Sequence, residues 1–153
     1  MVDDDPYSVF HRQAEPLLRV ALVAAYGTQR GREAAVDALV YGWEHWERIK
    51  VMENPIGYLY RVGSRRTRRL LSRRQVVFAQ PTPQDEPWVE PGLPSALDRL
   101  SPGQRQAVVL VHAYGHSFRE AARVLGVAPS TIQNHCDRGL RKLRSALGVN
   151  ADV

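Results

Sequence analysis

Ser117-Phe-Arg-Glu-Ala-Ala-Arg-Val-Leu-Gly-Val-Ala-Pro-Ser-Thr-Ile-Gln-Asn134 is the stretch whose reading decides the fold. Ser117 and Glu120 have the spacing of a capping box, a hydroxyl at the N-cap with an acid three residues on. Phe118, Ala121, Ala122 and Leu125 then make the apolar face of a two-turn helix. Gly126-Val127-Ala128 reads as a tight turn. Pro129 opens a longer helix, with Ile132, Cys136, Leu140, Leu143 and Leu147 facing inward. A short helix, a glycine turn and a long helix form a helix-turn-helix. Ser130, Thr131, Gln133 and Asn134, on the first turns of the long helix, can all exchange hydrogen bonds with base edges or phosphates. Arg138, Arg141, Lys142 and Arg144 further along suit phosphate neutralisation. The same residues also suit the wet face of any amphipathic helix, but capping, turn and charge placement agree on DNA.

Upstream, Ser101-Pro-Gly-Gln104 is a second capping box, followed by Ala107, Val108, Val111 and Tyr114 on one face. Gly115 and His116 end that helix. Nearer the N-terminus three more apolar stripes recur at helical steps. The first is Phe10, Ala14, Leu17, Leu18, Ala21, Leu22 and Ala25, stopped by Gly27. The second is Ala35, Ala38, Leu39, Gly42, Trp43 and Trp46. The third is Ile56, Leu59, Tyr60, Gly63, Thr67, Leu70 and Leu71, with Asn54 as N-cap and Pro55 at the first helical position. No segment alternates with period two. The expected fold is all-α, with a helical bundle at residues 6–74 and a helix-turn-helix unit at 95–148. Residues 75–94, with five prolines and three acids, read as a linker carrying Trp88 and Val89.

Charge follows the same division. The net charge is +5 over 153 residues, but residues 61–74 alone hold seven arginines and no acid. Arg61, Arg65 and Arg68 share one face of the third helix, with Arg66, Arg69 and Arg73 beside them. Like charges so placed repel one another, and a polyanion relieves that repulsion. Tyr58 lies off the apolar stripe and can stack on an unpaired base, and the Ile49–Asn54 loop is a second candidate for gripping one. Trp43 and Trp46 are expected in the core.

Other chemistries find little support. His112 and His116 are four apart, but no Glu follows His112 and Gly115 breaks the helix, so a zinc site is not expected. Cys136, the lone cysteine, reads as a buried thiol and excludes a disulfide framework. No phosphate-binding glycine loop or nucleophile with its partner is present, so neither an enzyme nor a cofactor is expected. The apolar runs are too short to span a bilayer, and Asp3, Asp4 and Asp5 stand where a signal peptide is basic. The expectation is a cytoplasmic protein with no membrane contact.

Leu100-Ser-Pro-Gly-Gln-Arg-Gln-Ala-Val-Val-Leu110, the Ser117–Gln133 stretch and Arg138-Gly-Leu-Arg-Lys-Leu-Arg144 together resemble region four of the sigma-70 superfamily. Trp43-Glu-His-Trp-Glu-Arg-Ile49 and Asn54-Pro-Ile-Gly-Tyr-Leu-Tyr-Arg-Val62 resemble region two. Two such units around a variable tether are the plan of the extracytoplasmic-function (ECF) group. The resemblance implies a bacterial RNA polymerase sigma factor with promoter DNA, core polymerase and, commonly in the family, an anti-sigma factor as partners. It implies that Ser130, Thr131, Gln133, Asn134, Arg138 and Arg141 contact the −35 element. Asn54, Tyr58, Arg61, Arg65, Arg66, Arg68 and Arg69 would serve the −10 element. Glu33 and Asp37 take the acidic places of the polymerase-binding helix, where Val36 replaces the family's usual Gln. Two alternatives stay open on the residues alone: a helix-turn-helix regulator acting without polymerase, and an interaction adaptor that does not bind DNA.

Overall fold

A computed structural model describes residues 5–70 and 92–149. Helix α1 (Pro6–Tyr26) starts from Asp5, whose carboxylate accepts hydrogen bonds from the Tyr7 and Ser8 backbone N–H groups. It ends at Gly27, φ 92°, and α2 (Thr28–Glu44) begins at the next residue. The Tyr7 hydroxyl donates to the Leu39 carbonyl, so the start of α1 lies beside the end of α2 and the two form an antiparallel hairpin. Near the turn the helices nearly touch. A Cβ on Gly31 would fall 2.3 Å from the Val23 Cα, so only glycine fits there.

One turn, α3 (Trp46–Ile49), leads to α4 (Pro55–Leu70), which begins at Asn54 with its side-chain oxygen accepting from Gly57 N at 3.1 Å. Tyr58 meets Tyr41, and Gly63 packs against Ala34, so α4 runs antiparallel to α2 and completes a three-helix bundle. The core is Leu18, Leu22, Leu39, Ile49 and Leu59 with alanines between them. Two expected core positions are wet. Trp43 is 66% exposed and Leu70 72% exposed, whereas Trp46 packs on Tyr7 and Phe10. Trp43 lies on the outer face of α2 with Val36 and Val40, while Gly42 beside it faces Leu59 and Tyr7, and Leu70 is the last residue of α4.

The second half begins with α5 (Leu93–Asp98), which takes in Leu93 and Pro94 from the expected linker. The rest of the linker, with Trp88 and Val89, and also Leu71 and Arg73, lies outside the described residues. Helix α6 (Pro102–Val108) starts with the full capping box of Ser101 and Gln104 and runs into a π-helical turn at Val109–Ala113. Helices α7 (Phe118–Leu125) and α8 (Pro129–Ala146) follow. The Ser117 hydroxyl accepts from Glu120 N, but the Glu120 carboxylate takes a hydrogen bond from His116 at 3.0 Å, so the second capping box closes on one side only. Phe118 and Tyr114, expected inside, are exposed, and Val124 fills the core face of α7 instead. Inward-facing Ile132, Cys136 and Leu143 hold α8 in place.

The two halves are not separate bodies. Ala107, Leu110, Ala121, Ala122, Val124, Ile132 and Cys136 belong to the same buried cluster as Leu18, Leu22 and Leu59. Five consecutive residues of α6, Gln104 to Val108, are buried because α6 is sandwiched between α8 and α1. Among the described residues no helix is long and apolar enough to cross a membrane, and all regular structure is helical.

Candidate nucleic-acid interface

Gly126 makes the helix-turn-helix possible. At φ 70° it ends α7 in the left-handed region, where a Cβ is strained, and its N–H closes on the Ala122 carbonyl. The chain then turns through Val127 and Ala128 into α8. Because Ile132 and Cys136 point inward, Ser130, Gln133, Asn134, Arg138 and Arg141 all emerge on the opposite, exposed side, and Thr131 is half-buried beside them. Ala128, at the N-cap, contributes no side-chain cap, and its carbonyl accepts from the Thr131 and Ile132 N–H groups at 2.9 and 3.3 Å. Lys142 is otherwise engaged: its ammonium donates to Gln104 Oε1 at 3.0 Å. Burial among these apolar neighbours pushes the Cys136 thiol above its ordinary range.

Helix α4 presents the other charged surface. Arg61, Arg65, Arg68 and Arg69 line an open groove of about 520 Å³ with Tyr60, Ser64 and Leu125. Arg66 points elsewhere, its guanidinium 5.5 Å from the centre of the Tyr41 ring, while Arg61 lies 5.9 Å from that of Tyr58. Arg68 donates to the Tyr26 hydroxyl at 3.2 Å. None of these five arginines pairs with a carboxylate among the described residues.

Sequence reasoning named Tyr58 as a candidate but not its surroundings. Arg48 donates to the hydroxyls of Tyr41, at 2.5 Å, and Tyr58, at 3.4 Å. Tyr41 stacks on His45 with 4.0 Å between ring centres. The Tyr58 hydrogen bond, aided by Arg48, holds the Tyr41 phenol below its ordinary range. The signal was the spacing of Tyr41, His45 and Arg48, four and three residues apart and hence on one side of the chain.

The Ile49–Asn54 loop is divided. Ile49 is fully buried and Val51 is exposed. Asn54, besides capping α4, donates to the Arg123 carbonyl at 2.8 Å, and Arg123 donates to the Glu53 carbonyl at 2.5 Å. Both ends of the Asn54 amide are thus engaged within the protein. Glu33 and Asp37 are exposed on α2, Glu33 accepting from Gln29 at 3.2 Å. Val36, Val40 and Trp43 stand beside them as an exposed apolar row. Among the described residues no group of three or more His, Cys, Asp or Glu is placed to hold a metal ion.

Comparison with known proteins agrees with this geometry. Residues 92–143 match the family described as sigma-70, region 4. EcfG, an ECF RNA polymerase sigma factor of Rhodopseudomonas palustris, is 41% identical over 56 residues, 37% of this chain and 31% of that one. The ECF sigma factor SigM of Mycobacterium tuberculosis is 45% identical over 53 residues, covering 35% and 27% of the two chains. The sigma factor CarQ of Myxococcus xanthus is 38% identical over 71 residues, covering 46% and 41%. The matched stretches therefore span less than half the length of these relatives. Among solved structures, the sigma factor RpoE of Bartonella quintana, crystallised with the anti-sigma factor NepR, superposes with a TM-score of 0.67. That superposition covers 94% of this chain and 98% of RpoE, at 23% identity. Fold and site define an all-α helix-turn-helix protein whose fold is shared with a solved sigma factor. Residues 92–143 are what matches sigma-70 region 4, and the relatives similar to this chain include ECF sigma factors.

Proposed function

We propose that this chain is an ECF-type RNA polymerase sigma factor, a non-enzymatic protein of the cytoplasm that directs core polymerase to promoters. The observation that carries this reading is the exposed Ser130, Gln133, Asn134, Arg138 and Arg141 face of α8, lying within the region 4 match. Gln133 and Asn134 hydrogen-bond base edges of the −35 element in the major groove, Ser130 and Thr131 meet bases or phosphate, and Arg138 and Arg141 hold the backbone. The Arg61, Arg65, Arg68 and Arg69 groove takes the −10 backbone, with Arg66 beside it and Tyr58 stacking on an unpaired base. Asn54 joins the −10 contact once its amide is released from Arg123.

Glu33 and Asp37 bind core polymerase, and the Val36, Val40 and Trp43 row gives that contact an apolar centre. Val36 in the place of Gln exchanges a hydrogen bond for apolar area. An anti-sigma factor is a further partner, by likeness to RpoE, which was crystallised with one.

The test is co-purification with core polymerase followed by transcription from a matched promoter. The expected result is stoichiometric association and promoter-dependent initiation. Duplex binding with no polymerase association would favour a conventional helix-turn-helix regulator instead.

A further inference from the structure

A cavity of about 320 Å³ lies away from both charged faces, lined by α1, the start of α2, α5 and the π-helical turn. Val20 and Val23 of α1, Leu93 and Leu97 of α5 and Val109 of the π-helical turn make its wall apolar. The last four are only half-buried, so water in the cavity wets aliphatic side chains that a ligand can cover.

The charge on the lining is all of one sign. Arg19, Arg32 and Arg105 belong to it, and no acid stands among the described lining residues. Arg105, 4% exposed, is fixed in the wall: its guanidinium donates to the carbonyls of Ala24 and Ala25, the latter at 3.2 Å, and sits on the negative end of α1. Arg19 is held less completely. Its Nε lies 2.8 Å from Glu15 Oε1, at an angle that closes no hydrogen bond, and this buried donor has no acceptor among the described residues. Arg32 is exposed on α2 and pairs with no carboxylate among the described residues.

An aliphatic wall beside guanidinium groups fits a ligand of two matching parts, a hydrocarbon chain ending in one carboxylate. A bare inorganic anion leaves the wall wet, and a neutral alcohol leaves the guanidinium groups without an anion. The volume is at the lower end of the range for small-molecule sites, about 300–1,000 Å³. It has room for an acyl chain but not for a helix, which is about 10–12 Å across. We propose that this cavity binds a medium-chain aliphatic carboxylate, the chain against Val20, Val23, Leu93, Leu97 and Val109 and the carboxylate held by Arg32 and the Arg19 Nε–H. Such binding needs neither DNA nor polymerase, so it goes beyond the sigma-factor reading and does not rest on it. Each methylene buried against the wall tightens binding by up to about fourfold, until the cavity is full and further chain projects into water.

The experiment is isothermal titration calorimetry of the full chain, without DNA, against monomeric hexanoate, octanoate, decanoate and dodecanoate, with decanol and inorganic phosphate alongside. The expected result is one-to-one binding that tightens about tenfold per pair of methylenes and levels off by dodecanoate. Decanol should bind at least about fivefold more weakly than decanoate, and phosphate should not saturate the site. Arg32→Gln removes an exposed cation and leaves the wall intact, so it should weaken decanoate about fivefold and leave decanol unchanged. Leu97→Trp, which fills the cavity, should weaken both by about tenfold or more. Where Leu97→Trp fails to fold, the chain-length series and Arg32→Gln decide by themselves. The proposal is overturned by wild type that shows no saturable decanoate binding, by affinity still climbing at dodecanoate, or by phosphate saturating the site. Decanol as tight as decanoate, or Arg32→Gln equal to wild type, overturns it as well.

Discussion

Helices α8 and α4 are close in length, at 18 and 16 residues, and both present a basic outer face, yet they use it differently. On α8, Gln133, Asn134, Arg138 and Arg141 stand free of partners among the described residues. On α4, Arg61 rests on Tyr58, Arg66 on Tyr41, and Arg68 on the Tyr26 hydroxyl. A free amide or guanidinium on a rigid helix adjusts to base edges, which is what sequence readout needs. A guanidinium braced by an aromatic ring is held in place, which suits a backbone whose charges recur whatever the sequence. Under the proposed function, discrimination falls to α8 and grip to α4.

Removing the grip should have the largest effect. Arg61, Arg65 and Arg69 changed together to Ala should flatten the logarithmic salt dependence of promoter binding by about two to three units. Fluorescence anisotropy across a salt series would measure it, and an unchanged slope would break the division of labour. Next, Gln133→Ala or Asn134→Ala should relax preference at one base pair by about 1–3 kcal/mol, whereas Arg141→Ala should weaken all sequences alike. Competition binding with single-base variants separates the two patterns.

A third test compares the two N-caps. Ser101 is satisfied from both sides and Ser117 from one. Ser101→Ala should lower stability by about 1–2 kcal/mol and Ser117→Ala by about 1 kcal/mol or less, read by urea unfolding. The smallest effect concerns pH. Burial pushes the Tyr60 phenol above its usual value near 10, so the fold favours its neutral form. The stability it contributes is fully present below the ordinary phenol pKa and is lost as pH rises through the raised one. Alkaline unfolding followed by circular dichroism should therefore be blunted in Tyr60→Phe.

Much of the C-terminal half was legible because its punctuation is explicit. Ser101, Ser117, Gly126 and Pro129 mark helix ends with side-chain chemistry that acts locally, and the structure places each at the expected cap or turn. Periodicity also located the face of α8. It places the edge of a stripe loosely and cannot say how far along a helix cover extends, which is why Trp43, on the outer face of α2, and Leu70, at the end of α4, were assigned to a core that does not reach them. Nor can it show one helix buried on two sides: Gln104, Arg105 and Gln106 look solvated in the sequence, and only the approach of α8 to Gln104 and of α1 to Arg105 and Gln106 explains their burial. Arg66 and Arg69 were both read as standing beside the Arg61, Arg65 and Arg68 face, but helix geometry sends Arg66 to Tyr41 and Arg69 into the groove. Asn54 was recognised as a cap, while its tie to Arg123, 69 residues away, has no local signal.

The common apolar wall formed by α1, α4, α6 and α7 has a practical corollary. Cutting the chain between Leu70 and Gly92 yields two pieces, each with an oily flank wetted and, on the first, the tail of α1 stripped of its cation. Such fragments should clump at concentrations the intact chain tolerates.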